Sequence, residues 1–218
     1  MHADWAFQGN EVALKNDLEY QAKVYEASPS QAVRIQQRIA NEEKESIELC
    51  QRAVSDEIGT AQFAITGDNT GTSSLVLDGV ASDNDLIEVD TTTINEEISN
   101  SQWDYIDIVK VDTEGNDYSV IVGALDSLVK SKIGILQFEY NWRWLNNHRS
   151  LKDVFEITSE LPYRLGKLCG ENIELYQDWH PELDRFIETN YVLLHDELIR
   201  KLPAIEHKFN NNNISVKL

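Results

Sequence analysis

Two short apolar runs, separated by a stretch with helical spacing, constrain the fold of this chain more than any other feature. The runs are IDIVKV at 106–111 and IGILQF at 133–138. Runs of this kind, rich in β-branched residues, are typical of strands buried on both faces of a parallel sheet. Between them, 116–130 carries apolar residues at the spacing of one helix face. The segment 106–138 therefore predicts a βαβ unit.

The rest of the chain shows further strand and helix patterns. Strands are predicted at 22–26, 47–50, 163–168, 173–176 and 191–195, and helices at 11–20, from Pro29 to about Glu45, and at 151–160. Short alternating runs between Thr60 and Val89 predict small antiparallel strands inserted between α/β units. We therefore expect an α/β fold with a doubly wound, mostly parallel sheet, and a ligand at the carboxyl ends of its strands.

Length and composition limit the class of protein. The chain has 218 residues, which favours one domain at 1–205 with a polar tail at 206–218. The low-complexity run Asn210–Asn213 in this tail is expected to be frayed. Apolar residues make up 41%, enough for a core, and the net charge of −19 argues against binding nucleic acid. The sequence shows neither a signal peptide nor an apolar run of membrane-spanning length, and its two cysteines fit a reduced compartment. We therefore expect a cytoplasmic protein that is not bound to membranes.

The segment VDTEGND contains the sharpest candidate site. Asp112 and Glu114 follow an apolar strand, and Gly115 precedes a predicted helix. In an extended segment the two carboxylates point the same way, where they could bind a metal, orient hydroxyl groups or act as a general base. The alternative is that these acidic residues only favour the start of the following helix.

The next strand ends in FEYNWRW, a second group of polar residues. Glu139 is expected at the same rim as Asp112, with Tyr140, Asn141 and Arg143 near it as the wall of a polar substrate pocket. The alternative is a solvated loop whose two tryptophans cover the edge of the core. No histidine spacing typical of a metal site is present, so no metal ligand is predicted.

A third candidate, Glu26, ends the predicted strand 22–26. An acidic residue at this position of a nucleotide-binding sheet commonly accepts hydrogen bonds from ribose hydroxyls. The loop upstream of it, Phe7–Glu11, contains one glycine, Gly9, and not a GxGxxG motif.

Several of these segments together carry a family resemblance. The stretch 106–128, IDIVKVDTEGNDYSVIVGALDSL, resembles the signature "lKiDvEGxExxvlxGA" of the FkbM-type family of S-adenosylmethionine-dependent methyltransferases. Further segments similar to family motifs are VYEASPSQ, ELCQRAVSDEIGTAQF, TGTSSL, VDTTTINEEI, ILQFEYN and NYVLLH. The resemblance covers about residues 22–195 in the order of the family.

The resemblance implies a Rossmann-like class I methyltransferase that transfers a methyl group from S-adenosylmethionine to a hydroxyl of a sugar, glycan or other small metabolite. Glu26 would bind the cofactor ribose. Residues implied near the rest of the cofactor are Gly9, Asn10, Arg52, Ala53, Ser55, Asp56 and Asp112. Glu139, Tyr140 and Asn141 would line the acceptor side. The stretch Phe7–Glu11 departs from the family's "DvGAnxG" loop.

The expected base for the acceptor hydroxyl is Asp112, followed by Glu114 and Glu139. Two other interpretations stay open at this point. One is a catalytically impaired family member that serves as a binding or regulatory protein, and the other is a different α/β nucleotide-binding enzyme. The sequence leaves the oligomeric state open.

Overall fold

A computed structural model describes residues 21–42, 46–65, 74–75 and 86–218. The predicted helix at 11–20 and the candidate residues Gly9 and Asn10 lie outside the described residues. The chain divides into two compact units, Met1–Thr93 and Ile94–Leu218. Each unit is described by itself.

The first unit contains a small parallel pair of strands joined through a helix. Strand β1 (Ala22–Tyr25) pairs in parallel with β2 (Ile47–Cys50), and helix α1 (Pro29–Asn41) connects them. Proline at the first helical position fits the helix start, because proline has a suitable φ and lacks an N–H that would need a partner. The helix lays Ile35 and Ile39 against β2. The strands are confirmed, and the helix ends a few residues earlier than predicted.

A second sheet of the same unit is short and largely antiparallel. Its strands are β3 (Ala53–Val54), β4 (Gly59–Ala64), β5 (Ser74–Leu75) and β6 (Leu86–Thr92), in the order β3-β6-β4-β5. Strand β4 runs antiparallel to both β5 and β6. A cluster of Ala27, Ala53, Phe63 and Val89 forms its core. The predicted antiparallel insertion is confirmed.

The second unit begins with helix α2 (Ile94–Asn100), which precedes the βαβ unit that the sequence predicts. The elements of the βαβ unit are β7 (Ile106–Lys110), α3 (Asp117–Val122), α4 (Leu125–Val129) and β8 (Ile133–Tyr140). Strands β7 and β8 are parallel. The single predicted helix at 116–130 is divided in two at Gly123 and Ala124.

The remaining elements complete a seven-stranded sheet. They are helix α5 (Leu151–Thr158) and the strands β9 (Tyr163–Cys169), β10 (Asn172–Tyr176), β11 (Thr189–His195), β12 (Ala204–Phe209) and β13 (Ser215–Lys217). The sheet order is β13-β12-β10-β9-β11-β8-β7. Short 3₁₀ helices lie at Trp142–Asn147, Pro181–Leu183 and Asp196–Lys201.

This sheet is mixed, which corrects the expectation of a mostly parallel one. Within it, β7 with β8 and β10 with β12 are parallel, and the other neighbours are antiparallel. The links from β9 to β10 and from β12 to β13 are tight turns. Such turns can join only antiparallel strands, because a parallel connection needs a long crossover.

The expectation of a frayed end at Asn210–Asn213 is wrong. These residues form the turn between β12 and β13, and the Asn210 side chain accepts hydrogen bonds from the backbone N–H groups of Asn212 and Ile214. Asn213 adopts a φ of 59°. Asparagine tolerates this region of φ and closes such turns with its side chain, so a polar run forms an ordered hairpin.

Candidate functional site

The parallel register of β7 and β8 brings two carboxylates together. Lys110 is aligned with Gln137, and Val111 N–H donates to the Gln137 carbonyl at 2.8 Å, so Asp112 follows alongside Glu139. The two side chains hydrogen-bond to each other, which requires a proton between them. Burial, with this hydrogen bond and the charge of Asp112, raises the pKa of Glu139 to about 8. At neutral pH the pair therefore shares one proton.

Neighbouring polar groups make the pair asymmetric. The Lys110 ammonium lies 3.3 Å from Asp112 Oδ2, while the Asn141 amide donates to Glu139 Oε1 at 3.3 Å. A cation beside one carboxylate and a neutral amide beside the other draw the negative charge of the pair to Asp112. The structure thus brings Asp112, Glu139 and Asn141 together as the sequence predicts.

Glu114 has a different environment from the one expected. Its φ is 55°, so the chain is not extended there and the alternation used to place it beside Asp112 does not hold. Its buried carboxylate instead forms an ion pair with the Arg143 guanidinium, with 2.9 Å between Oε2 and the nearest nitrogen. This contact links the loop after β7 to the 3₁₀ helix that follows β8.

Gly115 allows that link. Its φ is 107°, and a side chain here would place its Cβ 2.8 Å from Cβ of Arg143. The Gly115 carbonyl also accepts a hydrogen bond from Asn147 at 2.6 Å. Glycine is required at this position both for its backbone conformation and for the close approach of Arg143.

Asp117 is a site residue that the sequence reasoning missed. It is 0% exposed, and its carboxylate accepts hydrogen bonds from the Thr113 hydroxyl at 3.0 Å and from the N–H groups of Gly115 at 3.3 Å and Glu139 at 3.2 Å. Burial raises its pKa to about 6. The signal was an acidic residue in the first turn of a helix, which sequence alone assigns to helix stabilisation.

Tyr140 belongs to the core of the second unit. Its ring packs edge-on against Trp144 with centroids 5.0 Å apart, and its hydroxyl donates to Asp184 at 2.7 Å. Burial, with Asp184, raises the pKa of this hydroxyl far above its usual value. The two tryptophans of the segment differ, because Trp144 is fully buried and Trp142 is 56% exposed. The role of Tyr140 at the acceptor side stays a prediction.

The cofactor candidates of the first unit gather where β1 and β2 end. Glu26 N–H donates to the Cys50 carbonyl at 3.1 Å, and the Arg52 N–H donates to the same carbonyl at 3.0 Å. Glu26 Oε1 accepts from the Ser28 N–H at 2.7 Å, and burial raises the pKa of this carboxyl. Ser55 is held to the sheet by its N–H, which donates to Thr92.

The other cofactor candidates of this unit have plainer surroundings. Ala53 lies in the core cluster, and the Ser55 hydroxyl donates to Asp56 at 2.9 Å.

Among the residues that the structure describes, no cluster of three or more His, Cys, Asp or Glu is arranged to hold a metal ion. No helix within the described part of the chain has the length and apolar character to cross a membrane.

Comparison with known proteins assigns the class. The family model of the methyltransferase FkbM domain matches residues 8–167, well over half of the chain, and it marks the chain as a methyltransferase. The chain belongs to the FkbM methyltransferase family, as its motifs indicate. No curated protein and no solved structure matches it.

Proposed function

We propose that the protein is an S-adenosylmethionine-dependent O-methyltransferase whose acceptor is a hydroxyl of a sugar, glycan or other small metabolite. The observation that carries this proposal is the proton-sharing pair of Asp112 and Glu139 at the ends of two neighbouring parallel strands. A hydroxyl is a poor nucleophile until a base takes its proton. A carboxylate pair that holds one proton and one negative charge at neutral pH is suited to this task.

Asp112 acts as the base in this scheme. Glu139 keeps its proton and donates it in a hydrogen bond to Asp112, which fixes the direction of the carboxylate. The acceptor proton moves to Asp112 as the new bond forms at the acceptor oxygen, and the pair then holds two protons and no charge. Asn141 keeps Glu139 in place through its amide contact.

The residues of the first unit fit the cofactor ribose. Glu26 stands directly after β1, and an ionised carboxylate has only acceptor oxygens, which suits the two donor hydroxyls of a ribose. Its Oε1 already accepts the Ser28 N–H, so the side chain is held in one orientation. S-Adenosylmethionine, when bound, supplies an electrophilic methyl group.

The finer fold assignment is part of the same proposal. We infer a class I methyltransferase fold from two parallel strand pairs, β1 with β2 and β7 with β8. The strands of each pair are connected through a helical segment, and an acidic residue follows the first strand of each pair, Glu26 after β1 and Asp112 after β7. Ligands of open α/β sheets bind at such carboxyl ends. The mixed order of the larger sheet departs from a fully parallel arrangement.

Composition supports our proposal for the location and the partners. Cys50 and Cys169 are both free thiols, which favours a cytoplasmic protein. With a net charge of −19, the chain disfavours nucleic acid as the acceptor, because the protein would repel phosphate groups. We therefore propose an uncharged, hydroxyl-bearing small molecule or glycan as the partner.

A transfer assay tests the proposal. The full chain is incubated with methyl-tritiated S-adenosylmethionine and a panel of pyranosides, oligosaccharides and polyols, and both labelled product and S-adenosylhomocysteine are measured. Transfer by the wild type that is lost in Asp112→Asn supports the assignment. Binding of the cofactor without transfer to any member of the panel favours the catalytically impaired interpretation.

A further inference from the structure

We propose that Asp117 is a positioning residue that holds the loop after β7 and the end of β8 together, so that Asp112 and Glu139 meet. The inference rests on the proposed function for its catalytic meaning. Whether Asp117 holds Asp112 and Glu139 together can be tested without an acceptor molecule.

The two oxygens of Asp117 are divided between the segments that carry the pair. Oδ2 accepts the Thr113 hydroxyl at 3.0 Å and the Gly115 N–H at 3.3 Å, on the chain just after Asp112. Oδ1 accepts the N–H of Glu139 itself at 3.2 Å. One rigid side chain therefore fixes the main chain on both sides of the pair.

The loop needs such an acceptor because it lies outside the strand ladder. Glu114 and Gly115 have φ values of 55° and 107°, so their backbone turns away from the direction of β7. A buried N–H without an acceptor is unfavourable, and a buried carboxylate is stable only when several donors face it. The three donors and the carboxylate stabilise one another.

Burial excludes Asp117 itself as the base. It is 0% exposed, and its oxygens are turned to Thr113, Gly115 and Glu139. The charged group that influences it most is Asp112 on its own loop, while Glu139 acts on it through its backbone N–H. Asp117 acts on the reaction through the geometry of these two side chains.

The test is a carbon-13 NMR titration of the Glu139 carboxyl in the intact protein. In the wild type we expect this carboxyl to titrate near pH 8, because burial and the contact with Asp112 raise its pKa. In Asp117→Asn an amide NH₂ replaces one of the acceptor oxygens and faces an N–H. The pair then separates, and the pKa of Glu139 falls by roughly one unit or more as the contact with Asp112 is lost.

Two further variants make the result specific. Thr113→Val removes one donor to Asp117 and keeps its charge, so we expect a smaller fall in the same direction. Asp153→Asn is the matched control, because Asp153 also accepts a backbone N–H, that of Ser150 at 2.6 Å, but at the start of α5. It should leave the titration of Glu139 unchanged.

Two outcomes would overturn the inference. One is a folded Asp117→Asn protein in which Glu139 titrates as in the wild type. The other is a change in the pKa of Glu139 in Asp117→Asn but none in Thr113→Val. The change would then come from the lost charge of Asp117 and not from its hydrogen bonds. If the protein fails to bind cofactor but both variants shift Glu139, the proposed function fails and the positioning role stands.

Discussion

Two strand ends of this molecule carry acidic residues in very different settings. At the end of β1, the Glu26 carboxyl accepts the backbone N–H of Ser28, two residues further on, so its hydrogen bond is local. At the ends of β7 and β8, Asp112 and Glu139 hydrogen-bond to each other, and Asp117 fixes the chain beneath them from a fully buried position.

The different surroundings of the two strand ends match the two proposed roles, cofactor binding at the first and proton transfer at the second. A half-buried carboxylate whose partners are nearby backbone N–H groups is suited to accept hydroxyl donors from a ligand. A carboxylate pair that shares a proton, and is held by long-range hydrogen bonds, is suited to move a proton at neutral pH. The same sequence pattern, an acid after a strand, is thus compatible with two different proposed roles, depending on the contacts that the carboxyl group makes.

The largest expected effect comes from removing the charge at the second strand end. Asp112→Asn should lower kcat by ~10²-fold or more, because the acceptor hydroxyl loses its base, and should leave cofactor binding nearly intact. Steady-state transfer and cofactor titration measure the two quantities. The matched control is Asp153→Asn, which removes a similarly hydrogen-bonded carboxylate from α5. Equal turnover in Asp112→Asn and the wild type would exclude Asp112 as the base.

The raised pKa of Glu139 predicts a pH dependence of stability. Folding raises this pKa from 4.5 to about 8, so the folded state favours the protonated form. The stabilisation is complete below pH 4.5 and is lost as the pH rises through about 8. In the pH range where the folded state holds the proton and the unfolded state does not, the free energy of unfolding falls by roughly 1.4 kcal/mol per pH unit.

The difference in urea unfolding between the wild type and Glu139→Gln from pH 6 to pH 8 isolates this effect, because Asp117, whose pKa burial raises to about 6, is present in both proteins. We expect the free energy of unfolding of the wild type to fall relative to that of the variant across this range. Parallel profiles would show that Glu139 is not held protonated.

Gly115→Ala should destabilise the fold by ~1–3 kcal/mol, because alanine is strained at a φ of 107° and its Cβ would lie 2.8 Å from Cβ of Arg143. The matched control is Gly170→Ala, at a φ of 60° with nothing within 4 Å of the added Cβ. Urea unfolding should show the larger loss for Gly115→Ala. Equal losses would mean that the contact with Arg143 is unimportant.

The smallest effect is expected at the first strand end. Glu26→Gln should weaken binding of S-adenosylhomocysteine by ~10-fold, since hydrogen bonds to a charged acceptor are about twice as strong as neutral ones. Its amide oxygen can still accept from Ser28. Glu48→Gln, at an exposed partner of Lys23, is the control and should bind as the wild type does. Unchanged affinity in Glu26→Gln would argue against a ribose contact.

The sequence predicts what depends on local pattern. The βαβ unit was predicted because its apolar runs and helix spacing are continuous. Helix α2 was missed because it buries little beyond Ile94 and Ile98 in an otherwise polar stretch. Strands β12 and β13 were missed because half-exposed strands give no clear alternation.

The candidate site also contains residues that a local sequence pattern places and residues whose role depends on long-range contacts. Asp112 and Glu139 were placed together from the rule that ligands bind at the carboxyl ends of parallel strands. The role of Asp117 depends on a hydrogen bond to Glu139, 22 residues away, and the environment of Glu114 depends on its ion pair with Arg143. Such contacts form only when the loop after β7 packs against the end of β8 and the residues that follow it, so no local sequence pattern predicts them.

Calorimetric titration of the wild-type chain with S-adenosylmethionine is the decisive measurement, because the proposed roles of both strand ends depend on this cofactor. We expect saturable binding with a micromolar dissociation constant. No binding at millimolar ligand would contradict it, and would leave the carboxylate pair without the methyl donor on which its proposed role depends.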